Sequence, residues 1–201
     1  FSKSGMDNSD QRYLSTMING DGVYRLWGSR GNSNRLDFSI YEQDALSGSL
    51  ATLATEDLQT REDGSFEVIL GGPPREGNWL PMRSGRLRLL VRQVHSDWGE
   101  ELPGEVHIDR IDEGRPIYPE LDREEMAARL VEAANLLALN VRRWPEFSRT
   151  RIEALASANT LTEPRKVGHT GGLTGRLMVA GHFDLAPDEA LLVKAWPTEA
   201  T

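Results

Sequence analysis

Asp63-Gly64-Ser65-Phe66-Glu67-Val68-Ile69-Leu70, then Gly71-Gly72-Pro73-Pro74, then Asn78-Trp79-Leu80-Pro81, then Arg86-Leu87-Arg88-Leu89-Leu90-Val91-Arg92-Gln93-Val94 is the stretch that decides the fold. It reads as turn, strand, loop, strand. Asp63-Gly64 is a turn signal, because glycine accepts the positive φ of a tight reversal. The glycine–proline run ends the first strand, since proline has no N–H to give a ladder. A tryptophan sits in the loop that follows, and arginines recur along the second strand.

Upstream, Val23–Trp27 is a short strand candidate. Leu36-Asp37-Phe38-Ser39-Ile40-Tyr41 alternates, with Leu36, Phe38 and Ile40 on one face. Downstream, Glu105–Ile111 is the next strand. Strands this close in sequence predict antiparallel pairing in a sandwich or jelly roll. Residues 1–22 read as an irregular, polar leading segment, with Asp7-Asn8-Ser9-Asp10 and Asn19-Gly20-Asp21-Gly22 as turns.

Beyond about residue 119 the pattern changes to a helical pair over 119–159. Asp122 with Glu125 forms a capping box. Met126, Leu130, Ala134, Leu137 and Val141 then recur at helical spacing and predict a buried stripe. Trp144-Pro145 is read as the end of this helix and the start of a second, with Phe147, Ile152 and Leu155 as its apolar side. A loop and a closing hairpin, Leu177–Phe183 with Ala190–Trp196, fill residues 160–201 and are expected to pack on the β core of residues 23–112. The fold class is α+β, mainly β: an antiparallel sandwich or jelly-roll-like core with a two-helix insertion, in a single domain.

The chain has 201 residues, 38% apolar, with net charge −8 and no cysteine. Disulfides, thiolate nucleophiles and zinc–thiolate sites are therefore excluded. The negative charge argues against nucleic acid or anionic lipid as a partner, and no apolar run is long enough to span a membrane. Absence of cysteine favours a cytoplasmic setting. Lys3, Lys166 and Lys194 are the only lysines among 23 basic residues. The abrupt termini lead us to expect either a homo-oligomer or a further chain segment completing the sheet.

The segment from about Val23 to Glu101 resembles a bacterial family known as domain of unknown function 1214. The resemblance rests on Asp63-Gly64-Ser65, on Asn78-Trp79-Leu80-Pro81 and on the arginine-rich strand ending at Arg92. It implies a β-sandwich or jelly-roll module, often part of a longer protein, and it transfers no catalytic residues. His95 departs from the family, which more often carries an aromatic residue there.

His95-Ser96-Asp97 is the sharpest chemical pattern, because residues two apart on a strand share a face. His95 and Asp97 as acid and base, with Arg92 as an anchor, would make a cofactor-independent enzyme. Adding His169 or His182 would complete the two-histidine, one-carboxylate triad of a non-haem iron oxygenase; the two helices that interrupt the strands weigh against that, and no metal or cofactor is expected. Asn78, Trp79, Trp27 and Glu101 are candidate ligand-binding residues, framing with Arg92 a hollow at one end of the sandwich. The reading favoured by sequence is a module that binds a small lipophilic or mixed-polarity ligand, or forms part of a larger assembly.

Overall fold

The computed structural model describes residues 8–42, 48–112, 122–166 and 177–194. The protein is mainly β with a single α-helix among these residues. It divides into two compact units, residues 1–120 with 167–175 and residues 121–166 with 176–201.

The first unit contains two four-stranded sheets. One has the order β1 (Gln11–Asn19), β7 (Arg86–Val94), β3 (Arg35–Glu42), β4 (Ala51–Leu53). The other has the order β6 (Trp79–Leu80), β5 (Ser65–Leu70), β2 (Tyr24–Gly31), β8 (Pro103–Arg110). Every pairing in them is antiparallel except β5 with β6, which is parallel because the glycine–proline loop carries the chain back before β6 joins the edge. Leu36, Phe38, Ile40, Leu87, Leu89 and Val91 of the first sheet share one apolar cluster with Leu26, Phe66, Val68 and Leu70 of the second. Phe38 and Phe66 meet across it with ring centroids 5.4 Å apart. Burying each such side chain contributes about 1.5–3 kcal/mol.

The alternation expected at Leu36, Phe38 and Ile40 is realised, and Asp63-Gly64 forms its turn. Gly64 has φ 78° and the Asp63 carboxylate accepts the Ser65 N–H at 2.9 Å. Beside this turn, where the Arg30 N–H donates to the Gly64 carbonyl at 2.8 Å, Gly31 has φ 61°, and a Cβ there would lie 2.5 Å from the Leu102 carbonyl. Only glycine lets these two backbones approach so closely.

Three expectations need correction. Residues 11–19 are a nine-residue strand rather than irregular, paired along their whole length with β7. Their sequence lacks strict alternation because β1 is an edge strand, with Gln11 and Ile18 its only fully buried residues. The helical pair is one helix, α1 (Arg123–Ser148), followed by a π turn, Arg149–Glu153. Its Asp122 cap accepts the Glu125 N–H at 2.7 Å as expected. Pro145 does not end it: the proline lies inside α1, giving up one backbone hydrogen bond, and the helix runs on to Ser148. The apolar stripe is also not buried: Leu130 and Leu137 are 65% and 66% exposed, and Met126 and Val141 are exposed as well.

The remaining strands of the second unit are two-residue pairs. β9 (Thr160–Leu161) pairs with β12 (Gly181–His182), and β10 (Arg165–Lys166) with β11 (Leu177–Met178). The expected hairpin between 177–183 and 190–196 is therefore replaced by pairing with residues upstream. Residues 190–194 form no strand, and Trp196 lies outside the described residues. No helix among the described residues is long and apolar enough to cross a membrane.

Candidate functional site

Strand β7 organises the site because its two faces meet different surroundings. Leu87, Leu89 and Val91 point into the core between the sheets. By the two-residue period of a strand, Gln93 and then His95 continue on that face. Gln93 is fully buried, and its Nε2 donates to the Gly104 carbonyl of β8 at 2.7 Å. His95 is 2% exposed, and its backbone N–H donates to the Asp10 carbonyl at 2.8 Å.

The polar atoms of these two side chains are not all satisfied. Gln93 Oε1, His95 Nδ1 and His95 Nε2 are buried without a hydrogen-bond partner. A buried polar atom left unpaired costs about 1–3 kcal/mol, and three of them fall here on residues two apart. The His95 imidazole stacks on the Trp98 indole, centroids 3.8 Å apart and planes 14° from parallel. Trp98 is 52% exposed and roofs the imidazole from the solvent side.

The loop that carries Trp98 is clasped by Glu101. Its Oε2 accepts the N–H groups of Asn34 at 3.0 Å and Ser96 at 3.1 Å. Asn34 Nδ2 donates to Ser96 Oγ at 2.6 Å, and Asn32 Nδ2 to the Glu100 carbonyl at 3.2 Å. Asp97 turns back into the loop, where its Oδ1 accepts the Gly99 N–H at 2.8 Å. Glu101 and Asp97 thus hold backbone.

The expected grouping of His95, Asp97 and Arg92 is not formed. Arg92 lies on the opposite face of β7 from the core, where its Nη1 donates to the Tyr41 hydroxyl at 2.9 Å. Its guanidinium also lies 5.9 Å from the Tyr13 ring centroid. Odd and even positions of one strand cannot share a hollow. His182 belongs to the second unit, and His169 lies outside the described residues. Among the described residues no group of three or more His, Cys, Asp and Glu is placed to hold a metal ion.

The hollow expected from Trp27, Trp79 and Arg92 is likewise not formed. Trp27 is on the outer face of the β6-β5-β2-β8 sheet. Its Nε1 donates to Asp109 Oδ2 at 2.6 Å, and its ring stacks on His107 at 4.4 Å. Trp79 pairs in register with Ile69, next to the core pair Leu70 and Leu80, and so faces outward on the same sheet. Its Nε1 donates to the Gly71 carbonyl at 2.9 Å. Asn78 fastens the loop: Oδ1 accepts the Gln59 N–H at 2.8 Å, and Nδ2 donates to the carbonyls of Gln59 at 2.7 Å and Glu67 at 3.0 Å. The two indoles therefore sit on one sheet's outer face and Arg92 on the other's.

Gln93 and Trp98 were missed as site residues. The signal for Gln93 was the alternation itself, which places a polar side chain on the core face after Leu87, Leu89 and Val91.

No family model and no curated protein matches the chain. A solved structure of an uncharacterised protein from Burkholderia cenocepacia is similar, with TM-score 0.70 and 29% identity over 85% of this chain and 48% of that one. The chain thus spans about half the length of that protein, and the likeness agrees with the mainly β architecture. The VPA0106 protein from Vibrio parahaemolyticus also matches, with TM-score 0.38 and 15% identity over 51% of this chain and 31% of that one. That similarity carries no argument.

Proposed function

We propose that this chain is a β-sandwich module of the domain-of-unknown-function 1214 kind that binds a small ligand of mixed polarity at the His95 end. The observation that carries the reading is the buried imidazole with neither nitrogen satisfied, roofed by an exposed indole. A ligand with one donor and one acceptor would pair with His95 and Gln93 Oε1, and its apolar part would replace His95 against the Trp98 face. Catalysis by His95, Asp97 and Arg92 together is not favoured, since Arg92 faces away and Asp97 is engaged by its own loop.

The test is a fragment screen by saturation-transfer NMR on the wild-type chain and on His95→Phe, with long-range 1H–15N spectra reporting the His95 nitrogens. Fragments that shift those nitrogens and lose binding in His95→Phe support the site. A screen with no such fragment, or with fragments that bind both proteins equally, overturns it.

A second reading, membership of a larger assembly, draws on the exposed stripe Met126, Leu130, Leu137 and Val141 along α1. An apolar stripe that its own unit leaves uncovered suits a partner helix or sheet. Sedimentation of the wild-type chain against Leu130→Glu/Leu137→Glu tests it: a concentration-dependent rise in mass that the double variant abolishes is the expected result, and identical monomeric sedimentation of both removes the reading.

A further inference from the structure

Helix α1 has no buried residue anywhere along its length. A helix held mainly by its own hydrogen bonds is marginally stable in water, so a cover over its apolar side would stabilise it. That side is Met126, Leu130, Leu137 and Val141, all exposed. They are spaced four, seven and four residues apart and fall on one face. The stripe therefore reads the same in either chain direction, about a midpoint between Ala133 and Ala134. Both alanines are exposed as well, and small side chains there let a second helix axis come close.

The charges decide which way such a helix runs. Glu124 and Glu125 lie in the first turn, and Arg143 and Arg142 stand at the same distances beyond the midpoint. Glu124 and Arg142 are about five turns apart and so share one flank of the stripe, and Glu125 and Arg143 share the other. A two-fold axis relating antiparallel copies brings like flanks together. Glu124 of one copy then falls beside Arg142 of the second, and Glu125 beside Arg143, at both ends of the pair. Glu125 also accepts from Arg129 of its own helix at 2.7 Å, and a carboxylate has further lone pairs for a second donor. A parallel copy would set Glu against Glu and Arg against Arg, which is unfavourable.

We propose that α1 packs against α1 of a second copy of this chain, antiparallel, with Leu130 opposite Leu137, Met126 opposite Val141 and the two alanines at the axis. This rests on the second reading above, that the stripe is covered in an assembly, and names the partner.

The test uses the full chain. It has no cysteine, so Leu130→Cys and Leu137→Cys each carry a single thiol. The two variants, one of them 15N-labelled, are oxidised separately and mixed, and the linked products are weighed by mass spectrometry. The expected product is the mixed disulfide. In the antiparallel pair, residues 130 and 137 meet across the axis, whereas like residues lie about 10 Å apart along it, too far for a disulfide. Sedimentation supplies a second readout: Glu124→Arg/Glu125→Arg and Arg142→Glu/Arg143→Glu should each weaken self-association by about tenfold, and mixing the two should restore it. Restoration also shows that both variants fold. Monomeric sedimentation of the wild-type chain removes the assembly reading and this proposal together. Association that Leu130→Glu/Leu137→Glu abolishes, but with like disulfides equal to or above mixed ones, keeps the assembly and overturns the antiparallel pair.

Discussion

The His95 imidazole lies flat against the Trp98 indole, 3.8 Å between centroids, with the imidazole 2% and the indole 52% exposed. Trp98→Ala should therefore expose the imidazole. The expected result is faster modification of His95 by diethyl pyrocarbonate, with a stability loss of about 0.5–1.5 kcal/mol from the lost stacking. Unchanged reactivity would mean that another element shields the ring.

His95→Phe replaces two unsatisfied nitrogens with carbon while keeping a flat ring under Trp98. It is expected to leave stability unchanged or raise it, since removing unpaired buried polar atoms relieves their desolvation cost. His95→Ala should instead leave a cavity and cost roughly 2–5 kcal/mol. Urea unfolding of the two variants separates these outcomes.

Glu101 joins two loops through the Asn34 and Ser96 amides. Glu101→Ala should release both, at a cost of about 1–2 kcal/mol for charge-assisted bonds near the surface. Hydrogen exchange at those two amides is expected to quicken, while exchange at Leu89 and Val91 in the middle of β7 holds.

Asp112 sits just beyond β8, and its carboxylate accepts from Arg110 Nε and Nη2, each at 2.6 Å. That hydrogen-bonded pair, with help from backbone N–H groups, lowers its pKa from 3.8 to about 2. A carboxyl depressed on folding adds stability that is complete above its unfolded value and is lost as pH falls toward the folded one. Asp112→Asn should therefore flatten the acid limb of the stability curve between about pH 4 and pH 2. Equal slopes for the two proteins in that window would contradict the pairing.

The central strands were legible because both of their signals agree. In Leu36, Phe38, Ile40 and in Leu87, Leu89, Val91, alternation and β-propensity point the same way, and the core is built from those residues. The segment Gln11–Asn19 was illegible because an edge strand is held by its partner's ladder, and its own side chains carry little of the pattern. The end of α1 was misread because a helix can absorb an internal proline at the loss of one hydrogen bond, and Trp144-Pro145 by itself does not separate that case from a true end. At the site, His95 was identified but its companions were not. Proximity in sequence suggested Arg92 and Asp97, whereas side-chain parity selects Gln93, and Trp98 comes into contact only through the loop's reversal.

The place of β7 between β1 and β3 has a consequence for synthesis. Strand β1 is made first, yet its partner among the described strands ends at Val94. While the ribosome adds the intervening residues, the nascent β1 has none of its native ladder, whereas β3 can already zip to β4. Emergence of one arginine-bearing strand then closes both seams of the sheet, so a stall before that point would leave the N-terminal segment open to chaperones and proteases.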